Sequence, residues 1–186
     1  VYAKAAEAGV EPRDFLQDKF PDAAGEGATL PLMVVWSGGL HAPGDEFGKE
    51  KFSAQEQLIA PARDKAVEEA KAMYLAIHQT TVDALRARGL EPTESKEGGI
   101  AQKGIGSIAE AIQEVIAPTE QHEYVAGRDF RLRLDAAANS FYDSERGLYN
   151  FDGKWLTTEQ LVAAYVELDK QFPGLIESVE DPFAEK

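Results

Sequence analysis

Apolar residues recur along this chain at two spacings, and each predicts a different element. The run TLPLMVVWSGG (29–39) is continuously apolar over the length of a strand and is bounded by Pro31 and Gly38-Gly39, the pattern of a strand buried on both faces. FRLRLDAA alternates Phe130, Leu132 and Leu134 against Arg131 and Arg133, a period of two, and Asp135 stands where the alternation stops. A closing strand carries Leu175, Ile176 and Val179 and ends at Glu180, followed by Asp181 and Pro182. Helical spacing is found three times. Residues 62–88 place Val67, Ala70, Met73, Tyr74, Ile77, Thr81 and Leu85 three and four apart, with Gly89 as a stop. Residues 107–117 open on a Ser107-x-x-Glu110 capping box and end at Pro118; residues 158–172 open on Thr157-x-x-Gln160 and end at Pro173-Gly174. Between the first strand and the first of these helices, LHAPGDEFGKEKFSAQEQ (40–57) reads as a long exposed loop.

Strand, helix and strand over 130–180 make a βαβ unit, whose two strands run parallel with a right-handed connection. Asp135 and Glu180 then share one edge, the carboxyl ends of both strands, where α/β sheets and barrels bind their ligands. Two carboxylates there repel unless something positive lies between them. Oxygen ligands without Cys or His favour Mg²⁺. The plainer alternative has Asp135 capping a turn and Glu180 paired with an arginine.

Composition narrows the partners. With 33 acids against 19 bases the formal net charge is −14, which repels phosphate backbones and anionic lipid surfaces, so neither nucleic acid nor a membrane is expected as a partner. The chain has no cysteine, which excludes disulfides and thiolate-held metals and leaves carboxylates and three histidines for chemistry. No apolar run approaches the ~18 residues of a membrane helix, and VYAKAAEAGV lacks the apolar core of a signal peptide, so a soluble cytoplasmic protein is the expectation. Val1 stands in place of an initiating methionine, and further chain upstream is expected. Residues 1–20 are alanine-rich and polar with a break at Pro12; FPDAAGEGAT follows as a connector, setting a boundary near Ala28 between segments 1–28 and 29–186.

Three further stretches, SGGLHA (37–42), QEQLIAP (55–61) and KEGGIA (96–101), precede LDAAANSF (134–141) and ESVEDPF (177–183) in order. Together with KWLTTEQLVAAYVELDKQFP (154–173) they resemble the enolase family, whose stretches read approximately NGGxHA, QEFMIxP, DEGGxAP, LDxAxSEF and SIEDPF. The resemblance implies an α/β enolase-like TIM (β/α)8 barrel, with 1–28 as the end of the N-terminal domain and 29–186 as the first half of the barrel. A whole barrel takes ~250 residues. It further implies phosphopyruvate hydratase activity, the Mg²⁺-dependent interconversion of 2-phosphoglycerate with phosphoenolpyruvate and water in glycolysis. Asp135 and Glu180 are then two of three acids holding Mg²⁺, Glu97 the general acid for the departing 3-hydroxyl, Glu56 its hydrogen-bonding companion and His41 the histidine of the closing loop. The third metal acid, the base lysine and a phosphate-binding Arg-Ser pair are expected beyond Lys186. The implied partners are a small phosphorylated hydroxy acid and either a second copy in a homodimer or a larger assembly, since a half-barrel exposes strand edges that something must cover.

This chain departs from the family at the site. Ser37 replaces the asparagine of NGG, Lys96 replaces the aspartate before Glu97, Gln102-Lys103 replace Pro-Asn, and Asn139-Ser140 replace Ser-Glu; the His41–Glu56 connection is several residues longer. These departures motivate an alternative, a non-catalytic enolase-like subunit of a structural assembly such as a cytoskeletal or ciliary complex. KWLT and EDPF argue against a third reading, an acid-sugar lyase of the wider superfamily. His78 and His122 read as structural or solvated, Trp36 and Trp155 as core or helix-entry packing, and DKAVEEAK as a solvated helix face.

Overall fold

The computed structural model describes residues 2–19, 30–42, 52–119 and 124–185. The boundary expected near Ala28, His122 and residues 43–51 of the expected loop lie outside the described residues. In chain order come α1 (Tyr2–Ala8), α2 (Pro12–Lys19), β1 (Met33–Ser37), β2 (Glu56–Pro61), α3 (Val67–Ala87), β3 (Thr93–Glu94), β4 (Ile100–Ala101) and α4 (Ile108–Thr119). Then follow β5 (Phe130–Asp135), a 3-10 turn (Ala138–Phe141), β6 (Tyr142–Asp143), β7 (Leu148–Phe151), β8 (Lys154–Leu156), α5 (Thr158–Gln171) and β9 (Ile176–Glu180). Six strands form one sheet in the order β3-β4-β1-β2-β5-β9, and β6-β7-β8 form a small antiparallel sheet. The βαβ expectation is met: β5 and β9 are neighbours and run parallel.

Burial follows the period of two. Phe130, Leu132 and Leu134 are buried, while Arg131, Arg133 and Asp135 on the opposite face remain exposed or half-buried. Each such large apolar side chain contributes about 1.5–3 kcal/mol when removed from water. The helices supply the other half of the core through Met73, Ile77 and Leu85 of α3, Ile108, Ile112 and Val115 of α4, and Leu161 and Leu168 of α5. Both capping boxes form. The Glu110 N–H donates to Ser107 Oγ at 3.2 Å while Glu110 Oε2 accepts from the Gly106 and Ser107 N–H groups, and Thr157 and Gln160 cap α5 reciprocally. Lys65 and Glu69 make the i,i+4 pair expected of the solvated face, at 2.8 Å.

Four expectations are corrected. The loop read over 40–57 stops short of Gln57, because Glu56 and Gln57 open β2, which lies between β1 and β5 and runs antiparallel to both. The helix read from Ala62 begins at Val67, since the Ala62 N–H is taken by the Asp129 carbonyl at 2.9 Å. Pro118 lies inside α4, in a last turn where only one residue follows it. Trp36 is fully buried as expected, but Trp155 is half-exposed with the Arg146 guanidinium 4.7 Å from its ring.

Candidate active site

One edge of the large sheet collects the acids. Ser37 pairs in register with Glu56, Glu56 with Asp135, and Asp135 with Glu180, so four residues on four neighbouring strands stand in a row and project from the same face. β2 runs against its neighbours, and so its first residue, Glu56, lies beside the last residues of β1, β5 and β9. Glu97 sits in the tight turn between β3 and β4, which the parallel pairing Trp36–Ile100 brings to the same end of β1. His41 completes the group, its Nδ1 sharing a 3.0 Å hydrogen bond with Glu56 Oε1.

The charges of this group act on one another. Burial raises the Glu56 carboxyl above its ordinary range; His41 opposes the shift, and the charges of Asp135 and Glu97 add to it. Asp135 is raised as well, first by burial and then by Asp181, against the Ala137 N–H bond and His41. Glu97 is shifted the other way: its own backbone N–H lowers it, burial opposes this, and the Ser95 hydroxyl, His41 and Lys96 lower it further. Lys96 thus acts in the direction that a positive charge beside an acid dictates.

Both halves of the plainer alternative can now be compared with the geometry. Asp135 does cap a turn, its Oδ1 accepting from the Ala137 N–H at 3.0 Å. Glu180 makes no ion pair with an arginine among the described residues; Arg133 pairs instead with Glu177 at 2.8 Å. No group of three or more His, Asp or Glu side chains gathers into a metal-holding cluster among the described residues; Asp135 and Glu180 are neighbours by strand register. A cavity of about 190 Å³ lined by Pro61, Arg63, Arg131 and Glu177 lies at the far end of β2 and β5, away from the acids, which occupy an open edge.

Sequence reasoning left two neighbours unassigned. Asp181 was visible in the Glu180-Asp181 dipeptide, yet only the fold shows its charge acting on Asp135. Ser95 braces the Glu97 turn, its Oγ accepting from the Glu97 and Gly99 N–H groups at 3.2 Å. No residue spacing announces the Ser95 contacts, because Ser95 acts through a turn.

The family model for the enolase C-terminal TIM barrel domain matches residues 28–186. The chain belongs to the enolase family. Enolase 2 of Lactococcus lactis subsp. lactis (strain IL1403) is 33% identical over 155 residues, 83% of this chain and 35% of that protein. The enolase of Corynebacterium kroppenstedtii is 32% identical over 156 residues, 84% of this chain and 34% of that protein. Enolase 1 of Lactococcus lactis subsp. cremoris (strain SK11) is 33% identical over 155 residues. The chain therefore spans about a third of the length of the enolases it matches. Its α/β sheet is a part of an enolase-type barrel, and no helix of the described residues is long and apolar enough to cross a membrane.

Proposed function

We propose that the protein expressed from its complete gene is a Mg²⁺-dependent lyase, a phosphopyruvate hydratase acting on 2-phosphoglycerate and phosphoenolpyruvate, working in the cytoplasm as a homodimer. The observation that carries this reading is the row Glu56–Asp135–Glu180 at one sheet edge, with Glu97 and His41 brought to the same end. Membership of the enolase family supports it.

Asp135 and Glu180 suit a hard divalent cation. Both offer oxygen, neither has a Lys or Arg ion pair among the described residues, and the Asp135 carboxyl is half-buried and raised chiefly by that burial. Mg²⁺ held by these two would supply positive charge against the negative charge that builds on a carboxylate when its α proton is removed. Glu97 gives a proton to the departing 3-hydroxyl oxygen, Glu56 hydrogen-bonds the same region, and His41 orients Glu56. The Glu97 carboxyl is held low in this arrangement, and negative charge arriving with an anionic substrate would raise its proton affinity.

The test is turnover by protein from the complete gene, with and without Mg²⁺, in wild type and Glu97→Gln. Phosphoenolpyruvate formation is expected to need Mg²⁺ and to fall by about 10²-fold or more in the variant. Equal rates in the two proteins would remove Glu97 from the mechanism. Calorimetry supplies a second measure, since Asp135→Asn is expected to weaken Mg²⁺ binding. Intact Mg²⁺ binding without turnover in wild type would instead favour the non-catalytic subunit.

A further inference from the structure

Two serines fifty-eight positions apart meet behind the Glu97 turn. Ser37 ends β1 and is 2% exposed, Ser95 follows β3 and is 8% exposed, and the Ser37 Oγ–H donates to Ser95 Oγ at 2.8 Å. We propose that this buried hydroxyl pair is a positioning device, which locks the Glu97 turn onto the end of β1 and aims the Glu97 carboxylate along the row of site acids. The proposal rests on the reading of Glu97 as the proton donor.

The geometry supports a device rather than filler. Ser95 Oγ lies within 3.2 Å of the N–H groups of Glu97 and Gly99, so one oxygen gathers both sides of the turn. The backbone closes the same loop: the Ser95 N–H donates to the Gly99 carbonyl at 2.9 Å and the Gly98 N–H to the Ser95 carbonyl at 3.1 Å. Ser95 Oγ thus joins the end of β1 to both N–H groups of the turn, and the nearby Ser95 hydroxyl is one of the influences holding the Glu97 carboxyl low. Ser37 is itself fixed by its register with Glu56, so the pair carries the position of Glu56 to Glu97 through two hydroxyls. The charged and titratable groups around the turn are Lys96 beside Glu97, Glu56 of β2, His41 of the β1–β2 connection, Glu94 of β3 and His78 of α3. Substituting the serines alters none of them.

Ser37→Ala, Ser95→Ala, the double variant and Ser95→Thr are prepared in the protein from the complete gene. Each alanine variant is expected to lower kcat about 10- to 100-fold, with KM changed less than about three-fold, as misplacement of a reacting group does. The double variant should fall no further than the worse single one, because the two hydroxyls act as a unit. Ser95→Thr, which keeps the hydroxyl, should recover most of kcat. The carboxyl-carbon titration of Glu97 by NMR supplies a readout without turnover: its midpoint should rise in Ser95→Ala and return in Ser95→Thr. An unchanged midpoint, with kcat equal to wild type and only the melting temperature lowered, would reduce the pair to packing and overturn the proposal. If wild type shows no turnover, the functional reading falls, and the Glu97 midpoint alone decides this one.

Discussion

Replacing Gly99 by alanine puts a methyl group inside van der Waals contact with Ser37 Oγ, 2.8 Å from Val34 Cγ1 and 3.1 Å from the Ser37 amide nitrogen. Gly99 is outside the left-handed region, so backbone conformation adds nothing to the penalty. The Ser37 hydroxyl can rotate away only by leaving Ser95, and its amide nitrogen cannot move without shifting β1 against β2 and β4. Overpacking costs about 1–3 kcal/mol and a stranded buried hydroxyl a similar amount, so Gly99→Ala is expected to lose about 2–4 kcal/mol. Gly98 differs: its φ is +83°, and only Glu94 Oε1, at 3.8 Å, would lie near a Cβ. Gly98→Ala should therefore lose about 1–2 kcal/mol through conformation alone, and Gly98→Asn less, because asparagine tolerates positive φ. Urea unfolding of the single variants and of Gly99→Ala combined with Ser37→Ala measures both effects. Removing the Ser37 hydroxyl relieves the tightest contact, so the double variant should be about 1 kcal/mol more stable than the sum of its singles. Strict additivity, or a loss below about 0.5 kcal/mol for Gly99→Ala, would refute the steric argument.

Asp129 is held down to about 2, first by hydrogen bonding to Arg128 and then by the Val125 N–H, with Lys65 adding attraction. A lowered carboxyl contributes stability that is present above its ordinary value of 3.8 and is lost as pH falls through about 2. Asp129→Asn should flatten that part of a plot of unfolding free energy against pH, and a carboxyl-carbon titration midpoint near 4 in wild type would contradict the assignment. Asp152 is a half-buried carboxylate accepting from the Ser53 N–H at 2.8 Å and the Ile108 N–H at 3.0 Å, at a φ of 46°. Asp152→Ala strands both donors and is expected to lose about 2–4 kcal/mol, whereas Asp152→Asn keeps one acceptor and a side chain suited to positive φ; equal urea midpoints for the two variants would show that these bonds hold nothing.

Legibility followed periodicity. β5 was readable because Phe130, Leu132 and Leu134 alternate with charged residues that cannot be buried, and its last residue was therefore placed with it. Helices α4 and α5 were readable from their boxes, since Ser107 and Thr157 satisfy N–H groups that every helix leaves open. β2 was hidden because QEQLIAP follows a polar stretch and ends in a proline, although Pro61, as the last residue of the strand, interrupts little of the ladder. β3 and β4 are two residues each, too short for any period. The β7–β8 hairpin carried a signal that went unread, Asp152-Gly153 between Phe151 and Lys154, a pair adapted to positive φ. Of the site, Asp135 and Glu180 came from strand ends; Glu56, Glu97 and His41 came from resemblance, because turns and connections leave no period in a sequence.

The reversal of β2 has a consequence for how such a protein can change. His41 and Glu56 bracket a single connection, and its two ends are sutured together: Gly38 and Gly39 donate to the carbonyls of Gln55 and Phe52 at 2.9 Å, and His41 bonds Glu56. A hoop fastened at its base can gain residues at the crown while the fastening stays put, and doubling its length costs only about 0.6 kcal/mol of closure entropy. The length of this connection can therefore vary with the acid framework left standing.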